Sequence, residues 1–250
     1  MGAGVDDADV EARATQRTRP HLCADVAPSR RTMAIAGAVV GIDVALFVLI
    51  AHDVVDGGRL VSHDEVVLDW FVDHRTDWSI QLAKLLGSIG KFVPLAIICV
   101  VVGIWLWRRG VKPMWAAAPL ASLVLASLAS TAAKSILDRE RPPIALHATT
   151  AALAAFPSGH ATDAAAFGLA TGFTLALTTA HHSRSQALLV AAGLLFAALV
   201  GVSRLVLAVH WLSDVLAGWA LGSSVAIATV ATIWYLTTRR HDAIQHSARQ

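Results

Sequence analysis

Six apolar stretches of about 20 residues each, the length a helix needs to cross the hydrocarbon core of a bilayer, constrain this chain more than any other feature. They fall at residues 33–51, 82–107, 114–133, 161–180, 187–208 and 215–237. The first is interrupted only by Asp43, the fourth only by Asp163, and the third and sixth carry no charge at all. The fifth holds Arg204 near its far end, and the second includes the uninterrupted run 92–107. Composition agrees with this pattern. The chain is 56% hydrophobic and only 15% charged, whereas a soluble domain has about a quarter of its residues charged. The expected fold is therefore all-α, a polytopic membrane helical bundle of six transmembrane helices.

Residues 1–32 are polar and without sustained periodicity, and read as a flexible cytoplasmic tail. No cleaved signal peptide is expected, because the first apolar run starts only at Met33 and no small-x-small site follows it. The expected organisation is this tail, a six-span domain over 33–237, and a cytoplasmic C-terminal tail over 238–250. Cys23 and Cys99 lie in unlike surroundings and at no metal-ligand spacing, so neither a disulfide nor a metal site is expected of them. The net charge of +2 points to no nucleic-acid partner.

Lys and Arg accumulate in cytoplasmic loops of membrane proteins. With the N-terminus inside, the inner segments hold 12 of the 20 basic residues, among them Arg30, Arg31, Arg108, Arg109, Lys112, Arg184, Arg239 and Arg240. Both termini are then cytoplasmic. The long loop between the first two spans is acidic, with Asp53, Asp56, Asp64, Glu65, Asp69, Asp73 and Asp77. Within it Val66, Val67, Trp70 and Phe71 recur at helical spacing, which predicts either a short helix on the membrane surface or an ordinary capped loop helix.

Three polar clusters land on the outer side in this orientation. Lys134 and Arg141 are seven apart, one helical stripe if the helix continued, but Pro142 disfavours helix at Arg141. Pro157-Ser158-Gly159-His160 stands directly before the fourth span. There Ser158 can cap a helix, Gly159 permits close backbone approach, and the helix N-terminus suits an anion such as phosphate. Ser203-Arg204 is followed by His210 and Asp214. On one straight helix Arg204 and His210 would point roughly 120° apart, so a shared site requires a turn between the fifth and sixth spans. His210 and Asp214, four apart, allow the carboxylate to hold the imidazole in one tautomer.

Each cluster alone has a plain reading as snorkelling anchors, a helix cap or an interfacial histidine. Together they form a complementary set. Lys134, Arg141 and Arg204 are three fixed cations suited to phosphate oxygens, and amides near Ser158 add neutral donors. His160 and His210 supply a nucleophile and an acid, in an order the spacing leaves open.

The three clusters resemble the signature motifs of the type 2 phosphatidic acid phosphatase superfamily, which also includes soluble vanadium haloperoxidases and bacterial acid phosphatases. Those signatures are Lys, six residues, Arg-Pro; Pro-Ser-Gly-His; and Ser-Arg, five residues, His, three residues, Asp. All eleven specified positions match here in order, over about a third of the chain, and the span layout extends the likeness to residues 33–237. The resemblance implies that His210 attacks phosphorus to form a phosphohistidine, with Asp214 orienting it. It implies that His160 protonates the leaving oxygen and later activates water. Lys134, Arg141, Ser158, Gly159 and Arg204 would bind the phosphate, with no metal and no cofactor required.

The function so implied is an integral-membrane lipid phosphate phosphatase, in the plasma membrane, with its site on the extracytoplasmic side. Its partners would be the bilayer and a lipid phosphate such as undecaprenyl diphosphate, phosphatidylglycerophosphate or phosphatidic acid. A lipid phosphotransferase using the same site is the alternative within enzymes. A non-catalytic phospholipid-binding membrane protein is the alternative outside them, and the intact His160, His210 and Asp214 argue against it, since binding needs no nucleophile. Several further polar residues have ordinary expectations. Asp43 would be hydrogen-bonded to a neighbouring helix, Asp138 paired with Lys134, and His181 and His182 solvated. His147 lies on the correct side for an entrance, and Asp163, one turn after His160, for tuning it.

Overall fold

A chain with so many apolar stretches has to solve one problem, the pairing of every backbone N–H and C=O away from water, and helices do so within each segment. The computed structural model describes residues 24, 26–180 and 182–247, with the backbone alone from residue 240. Most of the N-terminal tail, including Cys23, and also His181 lie outside the described residues. No β-strand occurs among the described residues.

The helices are α1 (Arg30–Asp56), α2 (Asp64–His74), α3 (Asp77–Ile89), α4 (Phe92–Arg108), α5 (Pro113–Leu137), α6 (Gly159–Thr178), α7 (Ser183–Val206) and α8 (Leu212–Ser247). Local chemistry sets their ends. The Ser29 hydroxyl accepts from Thr32 N–H at 3.0 Å to start α1, and Gly57 at φ 66° ends it. Thr76 and Ser79 form a reciprocal capping box at α3. Pro113 opens α5, where its missing N–H costs nothing.

Each of the six apolar stretches becomes helix. Four of these helices, α1, α5, α7 and the Leu212–Arg239 part of α8, are long and apolar enough to cross a membrane alone. The second stretch forms two helices, α3 and α4, bent by 57° at Gly90-Lys91, and makes a fifth candidate if the pair is one span. The bend is packed in place: a Cβ on Gly90 would stand 2.6 Å from Val200 Cγ1 of α7. The fourth stretch, α6, is not among the candidates. It is rich in Ala, Gly and Thr and mostly buried, surrounded by α5, α7 and α8. A helix shielded by its neighbours has no need of lipophilic side chains. The helix of the sixth stretch, α8, runs past the expected end at Thr237, to Ser247.

The molecule is apolar on the outside. No residue of α1 is buried, and its Ile35, Ile42, Val48 and Leu49 are exposed, as are Trp107 on α4, Leu128 on α5 and Leu195 on α7. Such a belt on a bundle is the surface that lipid tails cover. Inside, small residues let helices approach closely. Gly168 of α6 and Gly193 of α7 face each other so tightly that a Cβ on Gly193 would overlap the Gly168 carbonyl oxygen. The Trp219 indole of α8 donates to Ala197 O of α7 at 3.0 Å. Replacing Gly193 with leucine must therefore part α6 from α7. The expected result is loss of monodisperse protein on size-exclusion chromatography in detergent, whereas Gly37→Leu, whose Cβ meets nothing within 4 Å, leaves the elution unchanged.

The acidic loop does contain a short helix, α2, but its apolar residues do not form one face. Leu68 is buried and Phe71 packs against Ala161, Leu205 and Val215, while Val66 and Trp70 are exposed. The exposed pair suits a bilayer interface, where aromatic residues concentrate. The inner face locks α2 onto the bundle.

Candidate active site

The three polar clusters meet at one end of the bundle because the loop from Asp138 to Ser158 folds back across it. Asp138 ends α5 in the left-handed region at φ 32°, its N–H bonded to Lys134 O. That conformation turns the chain away from the helix axis and carries Arg141 off the stripe it would otherwise share with Lys134. Ala155 N–H donates to Arg139 O at 2.8 Å and Ser158 N–H donates to Asp214 O at 2.9 Å. Phe156, fully buried next to a cis peptide bond to Pro157, packs its ring against Phe47 of α1 in a tilted pair, 5.8 Å between centroids. The other non-glycine residues at positive φ, among those described, are Leu153 and Ala208, and both flank the same site. Strained backbone gathered at one place is a mark of functional sites.

The turn required between the fifth and sixth spans is present. Helix α7 ends at Val206 and α8 begins at Leu212, with Ala208 at φ 52° between them. Val209 N–H donates to Arg204 O, and Ala148 N–H of the returning loop donates to Leu207 O at 3.0 Å. His210 is thereby placed back beside the first cluster.

Arg141 is anchored by three carbonyls. Its Nε donates to Leu153 O at 3.0 Å, its Nη2 to Ala152 O at 2.9 Å, and its Nη1 to Val209 O at 2.5 Å. The same Nη1 stands 3.3 Å from His210 Nε2. A guanidinium has donors only, so Nε2 is the unprotonated nitrogen and its lone pair accepts from Arg141. The other nitrogen, Nδ1, lies 3.2 Å from Asp214 Oδ2 and donates to it. Asp214 Oδ2 also accepts from Trp211 N–H at 2.9 Å. The expected contact between His210 and Asp214 is thus present, and the geometry selects one tautomer.

His210 and Asp214 are both buried. Burial pushes the His210 imidazole down to about 4, against the upward pull of the Asp214 carboxylate, while the Arg141 and Lys134 charges depress it further. A neutral imidazole in the fold therefore faces an unfolded histidine that gains its proton near 6.5. The folded state binds fewer protons between these values, so stability falls as pH is lowered through this window. Thermal melts in detergent at pH 7 and pH 5 are expected to show a larger drop for wild type than for His210→Gln.

Lys134, in the last turn of α5, donates to Ala154 O at 2.7 Å and not to Asp138, so the expected ion pair is replaced by a bond to the returning loop. Arg204 is buried against α3. Its Nη2 donates to Ala83 O at 3.2 Å, and its guanidinium fills the space that a Cβ on Gly87 would take. Gly87 is the reason this arginine can lie there.

Ser158 occupies the cap position of α6, but its hydroxyl makes no capping bond. Its carbonyl oxygen instead accepts the first helical bond, from Thr162 N–H at 2.9 Å. The N–H groups of Gly159, His160 and Ala161 therefore precede the helical ladder. Ser158 Oγ and His160 Nε2 are buried with no partner in the protein, as are Ser130 Oγ, one turn before Lys134, and Asp163 Oδ1. Buried polar groups are nearly always paired. A concentration of unpaired ones beside Lys134 and Gly159 describes a place shaped for a polar ligand. A Cβ on Gly159 would point at Lys134 Cε from 3.8 Å and Ser130 Oγ from 3.9 Å, into that same space.

Other expectations resolve differently. His147 is tied to Pro142 O at 2.9 Å. Asp43 Oδ2 is buried in α1 without the expected partner. Two residues that the sequence did not single out stand at the centre of the site. The Nη1 of Arg139 donates to Asp214 Oδ1 at 2.6 Å and to Ser213 Oγ at 2.7 Å, and its Nη2 donates to Asp64 Oδ2 at 2.7 Å. Asp64, the first residue of α2, is 2% exposed. Arg139 looked like one more loop cation two places from Arg141, and Asp64 like one of seven loop acids. Only its burial sets Asp64 apart from Glu65 and Asp69, and burial is not a local property of the sequence.

Comparisons with known proteins bear on the family and the fold. The model of the PAP2 superfamily matches residues 115–238, the stretch that contains all three clusters. Phosphatidylglycerophosphatase B of Bacillus subtilis (strain 168) is 27% identical over 183 residues, covering 71% of this chain and 86% of that protein. A crystal structure of a transmembrane PAP2-type phosphatidylglycerolphosphate phosphatase from Bacillus subtilis superposes with a TM-score of 0.63 at 22% identity. It covers 80% of this chain and 96% of that one. With the family model, the span-forming helices and the shared fold in agreement, this chain is an integral membrane protein that belongs to the PAP2 superfamily.

Proposed function

We propose that the protein is a phosphatase that hydrolyses a lipid phosphate through a phosphohistidine on His210. The observation that carries this reading is the state of the His210 ring. Its Nδ1 faces Asp214, and its unprotonated Nε2 faces the Arg141 guanidinium, one of the cations that would hold the phosphate.

In the first step Nε2 attacks phosphorus, the N–P bond forms and the P–O bond to the lipid breaks. His160 delivers a proton to the departing oxygen. In the second step water attacks phosphorus, His160 takes the water proton, and the N–P bond breaks to release inorganic phosphate and restore His210. Lys134, Arg141 and Arg204 hold the phosphate oxygens, whose charge grows toward the transition state, with the Ser158 hydroxyl and the α6 amides at Gly159 and His160 as neutral donors. Fixed cations at these positions do the work magnesium does in other phosphoryl-transfer enzymes.

The unpaired buried atoms Ser158 Oγ and His160 Nε2 support this assignment. The topology that accompanies it has six spans, counting α6 and the α3–α4 pair, over residues 33–237. Both terminal segments, 1–32 and 238–250, face the cytoplasm, and the site opens at the outer face of the plasma membrane. A substrate whose tail stays in the bilayer reaches such a site directly. The named activity of the Bacillus subtilis relative favours phosphatidylglycerophosphate over undecaprenyl diphosphate and phosphatidic acid.

Purified protein in detergent micelles, with excess chelator, is expected to release phosphate from these lipids, fastest from phosphatidylglycerophosphate. Loss of activity on chelation that is regained with a divalent ion would refute the metal-free mechanism. Transfer of phosphate to an added alcohol, with little free phosphate, would replace hydrolysis by phosphotransfer.

A further inference from the structure

We infer that Arg139 and Asp64 are positioning residues that act on His210 through Asp214; the inference rests on the phosphohistidine reading above. Two buried carboxylates close around one largely buried guanidinium. One arm of Arg139 reaches Asp214 Oδ1 at 2.6 Å and the other reaches Asp64 Oδ2 at 2.7 Å. Ser213 closes the ring. Its N–H donates to Asp64 Oδ1 at 2.9 Å and its hydroxyl to Asp64 Oδ2 at 2.5 Å, while that hydroxyl accepts from Arg139 Nη1. The Arg139 guanidinium also lies over the Trp211 ring, 5.6 Å from its centroid. These groups come from three places in the chain, residue 64, residue 139 and residues 211–214, and none is repeated elsewhere in the site.

The charge count explains why both residues are needed. Asp214 has one oxygen for the His210 Nδ1–H and one for Arg139. A guanidinium devoted to Asp214 alone would neutralise it and weaken its hold on the imidazole. Asp64 takes the second arm of the same cation, so the cluster keeps one net negative charge. That charge faces a ring that becomes positive when Nε2 bonds to phosphorus. Without Arg139, two buried carboxylates would be left on either side of Ser213 with no cation between them. Lysine cannot replace the arginine, because a single ammonium cannot bridge two carboxylates with a planar fork.

Geometry adds to the electrostatics. Ser213 is in the first turn of α8, next to Asp214, and Asp64 is the first residue of α2. Asp64 therefore sets where the helix carrying Asp214 begins relative to the helix between the first two spans. A simple staple between α2 and α8 would be satisfied by Asp64 and Ser213. The additional bond from Arg139 to Asp214 Oδ1 is what connects the staple to the chemistry.

The test compares kcat and KM for wild type, Asp64→Asn, Arg139→Lys, Ser213→Ala and His210→Ala. It uses whichever of the three lipids wild type hydrolyses fastest, with thermal melting of each protein alongside. Asp64→Asn keeps the shape and removes the charge. The expected result is a fall in kcat of about ten- to a hundred-fold for Asp64→Asn and Arg139→Lys, with KM within about two-fold, because groups that orient a reacting ligand act at that scale. Ser213→Ala falls between these and wild type.

An unchanged kcat in folded Asp64→Asn, or a rise in KM alone, overturns the inference, as does a lowered melting temperature with kcat intact, which is the result of a staple. If Asp64→Asn does not fold, Arg139→Lys and Ser213→Ala carry the same decision. Activity that survives in His210→Ala defeats the phosphohistidine reading instead, and so separates the two failures.

Discussion

His210→Ala is expected to lower phosphate release by about 10^4-fold or more while leaving the protein folded, because the proposed mechanism forms its covalent intermediate on this side chain. The side chain is buried, but it is held at one ring edge by Asp214 Oδ2 and approached at the other by Arg141 Nη1. Alanine removes the lone pair at Nε2 and leaves the cations that bind phosphate. Binding should therefore persist as turnover disappears. Equilibrium binding of a non-hydrolysable lipid phosphonate to wild type and variant separates the two quantities. Denaturing gels of wild type quenched during turnover with radiolabelled substrate should show an acid-labile, base-stable label that His210→Ala lacks. A variant with wild-type kcat would remove the nucleophile assignment altogether.

Asp214→Asn is expected to cost about 10^3- to 10^4-fold in kcat, the scale seen when a nucleophile's or base's imidazole loses the carboxylate that fixes its tautomer. The oxygens of Asp214 accept from His210 Nδ1, Trp211 N–H and Arg139. An amide offers one oxygen and one NH2 group, so whichever way it turns, a donor meets a donor. If the NH2 faces His210, the ring is driven to carry its proton on Nε2, where the lone pair is needed. If it faces Arg139, the guanidinium is left with one buried carboxylate, Asp64, and the imidazolium with none. The loss should appear in kcat and not in KM, and raising pH should not restore it, since the amide does not titrate. A loss within ten-fold would mean that Asp214 supports the fold more than the chemistry.

Much of this molecule could be read from local features of the chain. The apolar runs and their lengths led to helices at all six places, because a backbone in hydrocarbon has no other way to pair its polar groups with itself over a single segment. The predicted orientation puts the clusters holding Lys134, Arg141, Ser158, Gly159, His160, Arg204, His210 and Asp214 on one side of the membrane, and their complementary chemistry groups them. The four-residue separation of His210 and Asp214 placed that contact correctly. So did the argument that the chain must turn after Arg204, a turn that the backbone makes at Ala208.

Other features depended on packing and could not be seen in any window of sequence. The second apolar stretch is two helices meeting at 57°, since Gly90 is pressed against Val200 of a helix more than a hundred residues away. The fourth is the central helix, with composition set by shielding from its neighbours and not by lipid. Ser158 sits at a cap position, yet its hydroxyl is kept from capping, and Lys134 turns from Asp138 to a loop carbonyl.

The clearest case is Asp64. In the sequence it is one acid among several in a loop, solvated like the rest by default. In the fold it is buried at the start of α2, 75 residues in sequence from Arg139 and 149 from Ser213. A charge in such a place requires partners, and the partners exist only because three distant parts of the chain converge. Local periodicity and spacing determined that this protein is a helical membrane bundle with three polar clusters of complementary chemistry. Which charges are buried there, and what they hold in place, was decided by long-range packing, because the energy of a buried ion depends on neighbours that the sequence order does not name.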